Sequence, residues 1–511
     1  RAAMQQAKRR LSQRLLRRVE AWGNTLPHPT MLFIYLCFLV IGVSWIGHYL
    51  GLSAIHPVNG EQISVVNLFN AAGLHQILGK MVSNFMTFAP VGPVLVAMLG
   101  LGIAERSGLI QTALRLMVMK APTKFLTFIV VLAGVLSSIA VDSGYVVMIP
   151  MAGVIFLAAG RHPLAGIAAC FAGVSGGFSA NLLVGPFDAI LGGISTEAAR
   201  LIDSNYDVTA TANYYFIVVS TLLISVVATW VTERFISPML GEYRGAEQGD
   251  LKTVLTSEEQ KGLKGAFVVG LVIVVGILWG LIPEQGLLRD PVTGGIIKSP
   301  FMSGLIALIA LSAALMGITY GKLSGCFKTH VDVIKSMEKS MEIMATYIVL
   351  MFFAAQFVNY FNWTNLGLIL AINGADTLKN SGLGAVPLML GFIFFCTFAN
   401  LFIGSASAKW AIMAPVFIPM FMLMGVAPEV VQAAYRVGDS STNIITPLMP
   451  YFALVFAFMK RYDDKVGVGT IMTLMLPYSV AFLLSWGLLL SLWLMLGIPL
   501  GPGASLFLAI P

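Results

Sequence analysis

The sequence predicts an all-α protein that crosses a membrane several times. Of its 511 residues, 57% are apolar and only 11% are charged, whereas soluble domains carry about 25% charged residues. The mean hydropathy is +0.85. Uncharged stretches at 31–51, 213–231 and 470–497 are long enough to cross a hydrocarbon core of about 30 Å. The first is too long for a secretory signal and no small-residue cleavage site follows it, so we expect a retained span.

Motif searches argue against several other classes of protein. The four cysteines lie far apart, so they predict neither a disulfide framework nor a CxxC metal site. The sequence contains no G-x-x-x-x-G-K-[ST] loop, which argues against a pump driven by ATP. No nucleophile–base pair or metal cluster falls at one membrane depth, so we expect neither an enzyme nor a cofactor. The net charge of +7 follows membrane topology and does not indicate nucleic-acid binding.

Basic residues predict the orientation of the chain. The first 22 residues are rich in lysine and arginine, and loops of this kind remain in the cytoplasm. Their apolar positions share one face, as in a helix that rests on an anionic inner leaflet; these positions are Leu11, Leu15, Val19 and Trp22. Alternating the later loops by the same rule leaves two basic residues inside the membrane, Lys409 and Arg436.

Two apolar regions start and end on the same side of the membrane. Residues 125–160 are bounded by cytoplasmic basic residues and carry the polar stretch SSIAVDSG midway, at 137–144. Residues 385–425 are bounded by external loops and carry GSASAKW midway, at 404–410. Irregular backbone at that depth must be covered by protein or must line a water-filled cavity. We therefore predict two re-entrant helical hairpins that enter from opposite sides.

The two hairpin regions also align with each other. A shift of 265 positions pairs Pro150 with Pro415, Pro163 with Pro428, Tyr145 with Trp410, Met148 with Met413 and Gly173 with Gly438. Slightly later, Ser-Ala-Asn at 179–181 meets Ser-Thr-Asn at 441–443. Because the hairpins enter from opposite sides, these matches predict an inverted-topology repeat, which is typical of secondary transporters.

Each predicted repeat contains a polar interruption of an apolar helix. The stretches GVSGGFSANLLVGPFD at 173–188 and YRVGDSSTNIITP at 435–447 combine glycine and proline with hydroxyl and amide side chains. Breaks of this kind hold ions and polar substrate groups near the membrane midplane. The candidate cation ligands at the breaks and hairpin tips are Ser137, Ser179, Asn181, Ser405, Asp439, Ser441, Thr442 and Asn443.

The charged residues near the second break have more than one interpretation. Arg436 and Asp439 are three positions apart, so we expect them to share one helical face at the mouth of the break. They form either a functional pair or a buried structural ion pair, and charges within the membrane are by default functional. Lys409 is either a snorkelling side chain or a tethered cation or substrate contact at the second hairpin tip.

These features divide the chain into four predicted parts. They are an amphipathic amino terminus, first span and external loop (1–82); a first repeat (83–237) with hairpin 125–160 and broken helix 164–197; a cytoplasmic loop and two scaffold spans (238–340); and an inverted second repeat (341–511) with hairpin 385–425 and broken helix 430–459. A channel would need a continuous polar path rather than two closed hairpins, so a transporter is the favoured class.

Five stretches closely resemble the p-aminobenzoyl-glutamate transporter (AbgT) family, of the type that exports antimetabolites such as sulfonamides. They are GRHPLAG (160–166), AGVSGGFSANLLVGPFD (172–188), FNWTN (361–365), GSASAKWAIMAP (404–415) and AAYRVGDSSTNIITP (433–447). The resemblance implies nine transmembrane helices plus two re-entrant hairpins in a bowl-shaped homodimer of the bacterial inner membrane. It also implies a scaffold distantly shared with sodium-dicarboxylate carriers.

The resemblance further implies which residues bind the substrate. The functional positions of the family fall on Asp188, Asn400, Ser407, Trp410, Pro428, Arg436 and Asp439. We expect Trp410 to stack on an aminobenzoyl ring and Arg436 to bind a carboxylate or sulfonyl oxygen through forked hydrogen bonds. Asp439 is then expected to hold Arg436, to bind the coupling ion or to carry a proton.

The function implied by the resemblance is transport coupled to an ion gradient, by elevator-like alternating access. The expected substrates are p-aminobenzoyl-glutamate and p-aminobenzoate-like folate metabolites, with export of sulfonamides. Both sodium and protons remain open as the coupling ion, because the breaks offer hydroxyl oxygens as well as carboxylates. The alternative is a sodium-coupled importer of a small carboxylate, of the dicarboxylate-carrier type.

Overall fold

The computed structural model describes residues 2–7, 10, 14, 18, 29–57, 60–89, 91–139, 144–245, 255–401, 403, 405–446 and 452–509. The predicted amphipathic face at Leu11, Leu15, Val19 and Trp22 lies outside these residues, and so do residues 140–143 of the first predicted hairpin tip. Strands in the described part form one short antiparallel pair, in which Ser53–Ile55 (β1) lies beside Gln62–Ser64 (β2).

Helices make up most of the described chain. The first ten are α1 (Pro29–Leu50), α2 (Ala71–Met86), α3 (Val91–Arg106), α4 (Leu109–Met119), α5 (Leu126–Leu136), α6 (Ile149–Ala158), α7 (Pro163–Phe171), α8 (Pro186–Ala199), α9 (Tyr214–Val231) and α10 (Ser237–Leu240). The next ten are α11 (Ser257–Leu281), α12 (Pro300–Ser303), α13 (Leu305–Ser324), α14 (His330–Trp363), α15 (Leu366–Asn380), α16 (Ala385–Asn400), α17 (Ala406–Leu423), α18 (Pro428–Ser441), α19 (Phe452–Lys460) and α20 (Val468–Leu496). Short 3₁₀ and π segments extend several of them.

Within the described residues, eight helical segments are long and apolar enough to cross a membrane, or nine if one bent pair counts as a single span. The eight are Thr30–Leu50, Ala71–Arg106, Tyr214–Leu240, Ser257–Leu281, Leu305–Ser324, Met344–Trp363, Ala406–Leu423 and Gly469–Leu496. The multi-pass, all-α fold class is thereby confirmed. One of the eight, α17, lies in a region predicted as a hairpin, so the assignment of hairpins and the inverted repeat stay predictions.

The helices form two packing groups. In the first group, α1, α2 and α3 pack on the long helix α14, and α13 lies between α3 and α11. The outer face of α11 exposes large apolar side chains, such as Phe267 and Trp279, as expected of a surface that meets lipid. The second group contains α5 to α8 and α16 to α19, with α9 and α20 packed against it. Both predicted breaks lie in this second group.

The chain leaves α-helical geometry at both predicted breaks. After α7, a π-helical segment at Ala172–Gly176 precedes irregular backbone, and the helix resumes at α8. Pro186 occupies the start of α8, where no backbone donor is needed. In the second break, α18 ends at Ser441 and a single 3₁₀ turn follows at Asn443–Ile445. Serine, threonine and asparagine side chains compete for backbone hydrogen bonds, which favours ending a helix at such positions.

Two glycines let each interrupted helix approach its neighbour closely. A Cβ atom at Gly173 would lie 2.6 Å from the carbonyl oxygen of Val131 on α5. A Cβ atom at Gly438 would lie 2.6 Å from the carbonyl oxygen of Ile393 on α16. Since both distances are too short for a side chain, backbone packs directly on backbone at both contacts. These are the glycines that the predicted repeat aligns.

Candidate functional site

The two breaks contact each other in the interior of the second packing group. The backbone N–H of Ser179 donates to Ser440 Oγ at 3.0 Å, and Asn443 Nδ2 donates to the carbonyl oxygen of Ser175 at 3.1 Å. Such bonds pair main-chain groups that an interrupted helix leaves unsatisfied. Polar segments more than 250 positions apart therefore form one buried region.

Arg436 and Asp188 form a buried ion pair at the first break. Arg436 Nη2 donates to Asp188 Oδ1 at 2.5 Å, and the side chains are 1% and 8% exposed. Arg436 Nη1 donates to the carbonyl oxygen of Ser179 at 3.2 Å, and Asp188 Oδ2 accepts from the N–H of Gly185 at 2.8 Å. Asp188 lies in the first turn of α8, where the helix dipole favours an anion. Arg436 therefore bridges the two sides of the first break.

Lys409 and Asp439 form a second buried ion pair, between α17 and α18. Lys409 Nζ contacts Asp439 Oδ1, and the side chains are 0% and 1% exposed. The same Nζ donates to Asn400 Oδ1 at 2.5 Å and to the carbonyl oxygen of Ile403 at 3.4 Å. Asp439 lies in the last turn of α18, where the helix dipole favours a cation. Carboxylate, amide and carbonyl oxygens together hold the ammonium group.

Asn400 connects the end of α16 to the second break. Its Nδ2 donates to the carbonyl oxygen of Asp439 at 2.7 Å, to Thr442 Oγ1 at 2.8 Å and to Asn443 Oδ1 at 2.9 Å. Because Asn400 Oδ1 accepts from Lys409, both ends of the amide are engaged. The structure thus brings three predicted site residues, Asp439, Thr442 and Asn443, together around Asn400, which in turn contacts Lys409.

The predicted pairing of Arg436 with Asp439 is wrong. Although they are three positions apart on α18, Arg436 pairs with Asp188 and Asp439 pairs with Lys409. The long arginine side chain reaches the start of α8, whereas the short carboxylate stays beside α16 and α17. Each charge is neutralised by a different helix, which spacing along one helix does not reveal.

Trp410 is fully buried and enclosed by protein side chains. Its ring stacks on Tyr435, with centroids 4.4 Å apart and 21° between the planes. Trp410 Nε1 donates to Ser195 Oγ at 3.0 Å. Ser195 donates in turn to Gln432 Oε1 at 2.7 Å, and Gln432 Nε2 donates to Asn213 Oδ1 at 2.8 Å. A polar chain therefore runs from α17 through α8 and α18 to the residue that precedes α9.

Sequence reasoning missed this polar chain. Gln432 lies four positions before Arg436 on α18, so an amide on the face of a buried arginine was a usable signal. Ser195 and Asn213 gave no such signal, because each meets its partner on α17 or α18 across more than 200 positions.

Several other predicted ligands serve local structure. Ser405 caps α17 by accepting from a backbone N–H at 3.2 Å. Ser137 and Ser441 donate to carbonyl groups three and four positions earlier, at 2.6 Å and 2.5 Å. Asn181 donates to Ser138 Oγ at 3.1 Å and accepts from the next backbone N–H at 2.8 Å. These contacts engage oxygens and amides that were predicted to bind a cation.

Ser407 and Pro428 are not part of the central contacts. Ser407 is half-buried in the first turn of α17. Pro428 begins α18, whereas Asp439 lies in the last turn of that helix. At 1.5 Å per residue, Pro428 and Asp439 are about 16 Å apart along the axis of α18.

Three polar atoms of the central region are buried without a hydrogen-bond partner among the described residues. They are Ser179 Oγ, Arg436 Nε and Asp439 Oδ2. A cavity of about 20 Å³ adjoins the first break, and its lining includes Ser179, Arg436 and Asp188. That volume accommodates one water molecule or one small cation. A ligand as large as an aromatic amide requires the surrounding helices to separate.

A wider cavity, of about 620 Å³, lies at the start of α18. Its lining includes Glu429, Asp207, Asp290 and Lys298. Glu429 is buried and accepts from Tyr206 through both carboxylate oxygens, at 3.0 Å and 2.8 Å. Since Asn213 Nδ2 donates to the carbonyl oxygen of Glu429 at 2.9 Å, the polar chain from Trp410 ends beside this cavity.

Comparisons with known proteins identify the family and the fold of the chain. A sequence model of the "AbgT putative transporter family" matches residues 14–508. The chain is 39% identical over 485 residues to the p-aminobenzoyl-glutamate transport protein of Escherichia coli (strain K12), with 95% of each sequence covered. It also resembles the crystal structure of the YdaH transporter of Alcanivorax borkumensis, with a TM-score of 0.90, 49% identity, and 93% of this chain and 100% of that chain covered. The corresponding values for MtrF of Neisseria gonorrhoeae, from a class of antimetabolite efflux pumps, are 0.91, 48%, 96% and 100%.

Proposed function

Because the chain belongs to the AbgT transporter family, we propose that it moves p-aminobenzoyl-glutamate and p-aminobenzoate-like folate metabolites across the membrane and exports sulfonamides. Relatives named for p-aminobenzoyl-glutamate transport and for antimetabolite efflux support this substrate class. Both kinds of molecule carry an aromatic amine with an oxygen-rich group on the opposite side of the ring. One site that recognises these two ends therefore serves both.

The observation that carries the proposal is the Arg436–Asp188 pair beside its small cavity. Charges inside a membrane protein are costly and mark substrate or ion pathways. Arg436 offers a planar set of donors, and its Nε has no partner among the described residues. A substrate carboxylate or sulfonyl group replaces Asp188 at this guanidinium when the site opens.

Aromatic side chains near Arg436 suit the ring of such a substrate. Phe178 and Phe187 line the cavity with ring centroids 4.8 Å apart, and the guanidinium lies 5.7 Å from the Phe187 centroid. Trp410 becomes available for stacking only when Tyr435 moves away. The predicted contact between Trp410 and the aminobenzoyl ring thus belongs to an open state of the site.

The proposed mechanism is secondary active transport by elevator-like alternating access, as a homodimer in the bacterial inner membrane with a cytoplasmic amino terminus. The division into two packing groups supports it, since both breaks lie in the group that would move against α14 and its neighbours. Engineered cysteine pairs between the two groups should trap an inward and an outward position. Obtaining only one of the two cross-links would contradict the elevator motion.

Sodium and protons both remain candidates for the coupling ion. The buried carboxylates Asp188 and Asp439 suit a proton, and the hydroxyl and amide oxygens around Asn400 suit sodium. A sodium-coupled importer of a small dicarboxylate is not favoured, because the relatives are named for an aromatic substrate and for antimetabolite efflux.

The test is transport of labelled p-aminobenzoyl-glutamate in proteoliposomes under a sodium gradient, a pH gradient or neither. We expect one gradient to drive accumulation and Asp439→Asn to abolish the coupling. A parallel assay with a labelled sulfonamide tests the second substrate class. If neither compound moves under any gradient while the purified protein is folded, the proposed substrates are wrong.

A further inference from the structure

The position of Lys409 is unfavourable unless something nearby requires a cation. The residue lies in the first turn of α17, where the helix dipole disfavours positive charge, and its side chain is fully buried. A buried ammonium group is tolerated only when opposite charge and hydrogen-bond acceptors surround it. Asp439, Asn400 and the carbonyl oxygen of Ile403 provide that environment.

The atoms around Lys409 Nζ are also those that bind a monovalent metal ion. Carboxylate, amide and backbone carbonyl oxygens replace the hydration shell of sodium in transporters and channels. The negative end of the helix dipole, at the last turn of α18, also favours a cation at this position. Among the residues that the structure describes, Asp439 is the only carboxylate that contacts the ammonium group, so the surroundings favour one monovalent cation at a time.

We propose that Lys409 is a tethered cation at the second break and that its ammonium group and a mobile sodium ion are alternative occupants of the same position. The lysine keeps Asp439 neutralised when no sodium is bound. Sodium binds only when the ammonium leaves, so the lysine weakens sodium binding and sets the concentration at which the ion enters. The role of this sodium ion rests on the proposed ion-coupled transport, but the test measures sodium binding and stability and does not require transport.

Competition has a measurable size. If the ammonium occupies the position nine-tenths of the time, it weakens apparent sodium affinity by about tenfold. Lys409→Met removes the competitor and leaves Asp439 without a counter-charge. We therefore expect the purified variant to bind ²²Na⁺ at least about tenfold more tightly than the natural protein. We also expect its melting temperature to fall in choline chloride and to recover, saturably, in sodium chloride of equal ionic strength.

Matched variants separate competition from simple destabilisation. In Lys409→Met/Asp439→Asn a neutral amide replaces the carboxylate at position 439. Stability should therefore return without sodium, and ²²Na⁺ binding should disappear. Lys409→Gln keeps a donor for Asn400 but no charge, and should behave as Lys409→Met does. Lys339→Met removes an exposed lysine, 56% exposed in its ion pair with Glu342, and should leave sodium binding unchanged.

Two results would overturn the proposal. One is equal sodium affinity in the natural protein and in Lys409→Met, including no binding in either. The other is failure of both Lys409→Met and Lys409→Gln to fold in sodium, because a mobile ion would then not replace the ammonium. If the natural protein does not transport p-aminobenzoyl-glutamate, the proposed function is refuted, and these binding measurements are not affected.

Discussion

The two breaks differ in what neutralises their charges. At the first break, Asp188 pairs with Arg436 of α18, so the ion pair joins the two predicted repeats and lies beside a small cavity. At the second break, Asp439 pairs with Lys409 of the neighbouring helix α17, within one predicted repeat and out of contact with solvent. Under the proposed function, the first break binds the substrate and the second binds a small ion. In the proposed elevator motion, a pair that joins both repeats changes when the repeats move, whereas a pair within one repeat depends on the contact between two neighbouring helices.

The largest effect is expected at the first break. Arg436→Met leaves Asp188 buried without its partner, which costs about 3–5 kcal/mol, and we expect transport to stop. Asp188→Asn/Arg436→Met should recover most of the stability and none of the transport. Thermal unfolding in detergent and proteoliposome uptake measure the two quantities. Transport by the double variant would show that the pair serves structure alone.

The two close glycine contacts provide a smaller test of equivalence. Gly173→Ala and Gly438→Ala each place a methyl group 2.6 Å from a carbonyl oxygen, and overpacking of this kind costs about 1–3 kcal/mol. We expect the same loss of thermal stability from both. Gly391→Ala on α16, where a Cβ meets nothing within 4 Å, is the matched control. A large difference between the first two variants would argue that the predicted repeats are not equivalent in packing.

Trp410→Phe should have a modest effect. The phenyl ring keeps the stacking on Tyr435 but loses the hydrogen bond to Ser195, a contribution of about 1 kcal/mol. Ser195→Ala removes the same bond, so the double variant should cost less than the sum of the two single losses. Full additivity in thermal unfolding would contradict a polar chain that acts as a unit.

The smallest effect is expected at Asp332, which is half-buried and lies outside the central region. Backbone N–H groups of Lys328 and Thr329 donate to its carboxylate and lower its pKa. A carboxyl group whose pKa is lowered by folding stabilises the folded protein when the pH is above its ordinary pKa. This contribution is lost as the pH falls through the lowered pKa of the folded state. We expect Asp332→Asn to lower the melting temperature slightly at pH 7 and progressively less as the pH falls below the ordinary pKa of 3.8. Transport should be unchanged, and a marked loss of it would disprove a purely local role.

Much of the fold could be predicted because membrane-spanning helices are recognised in a sequence by their length and apolar composition. The polar breaks were also visible, since Ser179, Ser441 and Asn443 interrupt apolar sequence. The partners of Arg436 and Asp439 could not be predicted, because periodicity reports which residues share a helix face and not which helix faces them. Ser195 and Asn213 illustrate the same limit, since each gains its role from a neighbour more than 200 positions away.

The charged residues of the two ion pairs have a consequence for how this protein evolves. Asp188 and Arg436 are 248 positions apart and Lys409 and Asp439 are 30 apart. Because both pairs are buried, neutralising one member leaves the other charge buried without its partner. We therefore expect Asp188 and Arg436 to change together or not at all, whereas Lys409 can change alone if sodium takes the place of its ammonium group. Substrate preference is freer to change through uncharged residues that line the cavity at the first break, such as Phe178 and Phe187, where one substitution at a time leaves both ion pairs intact.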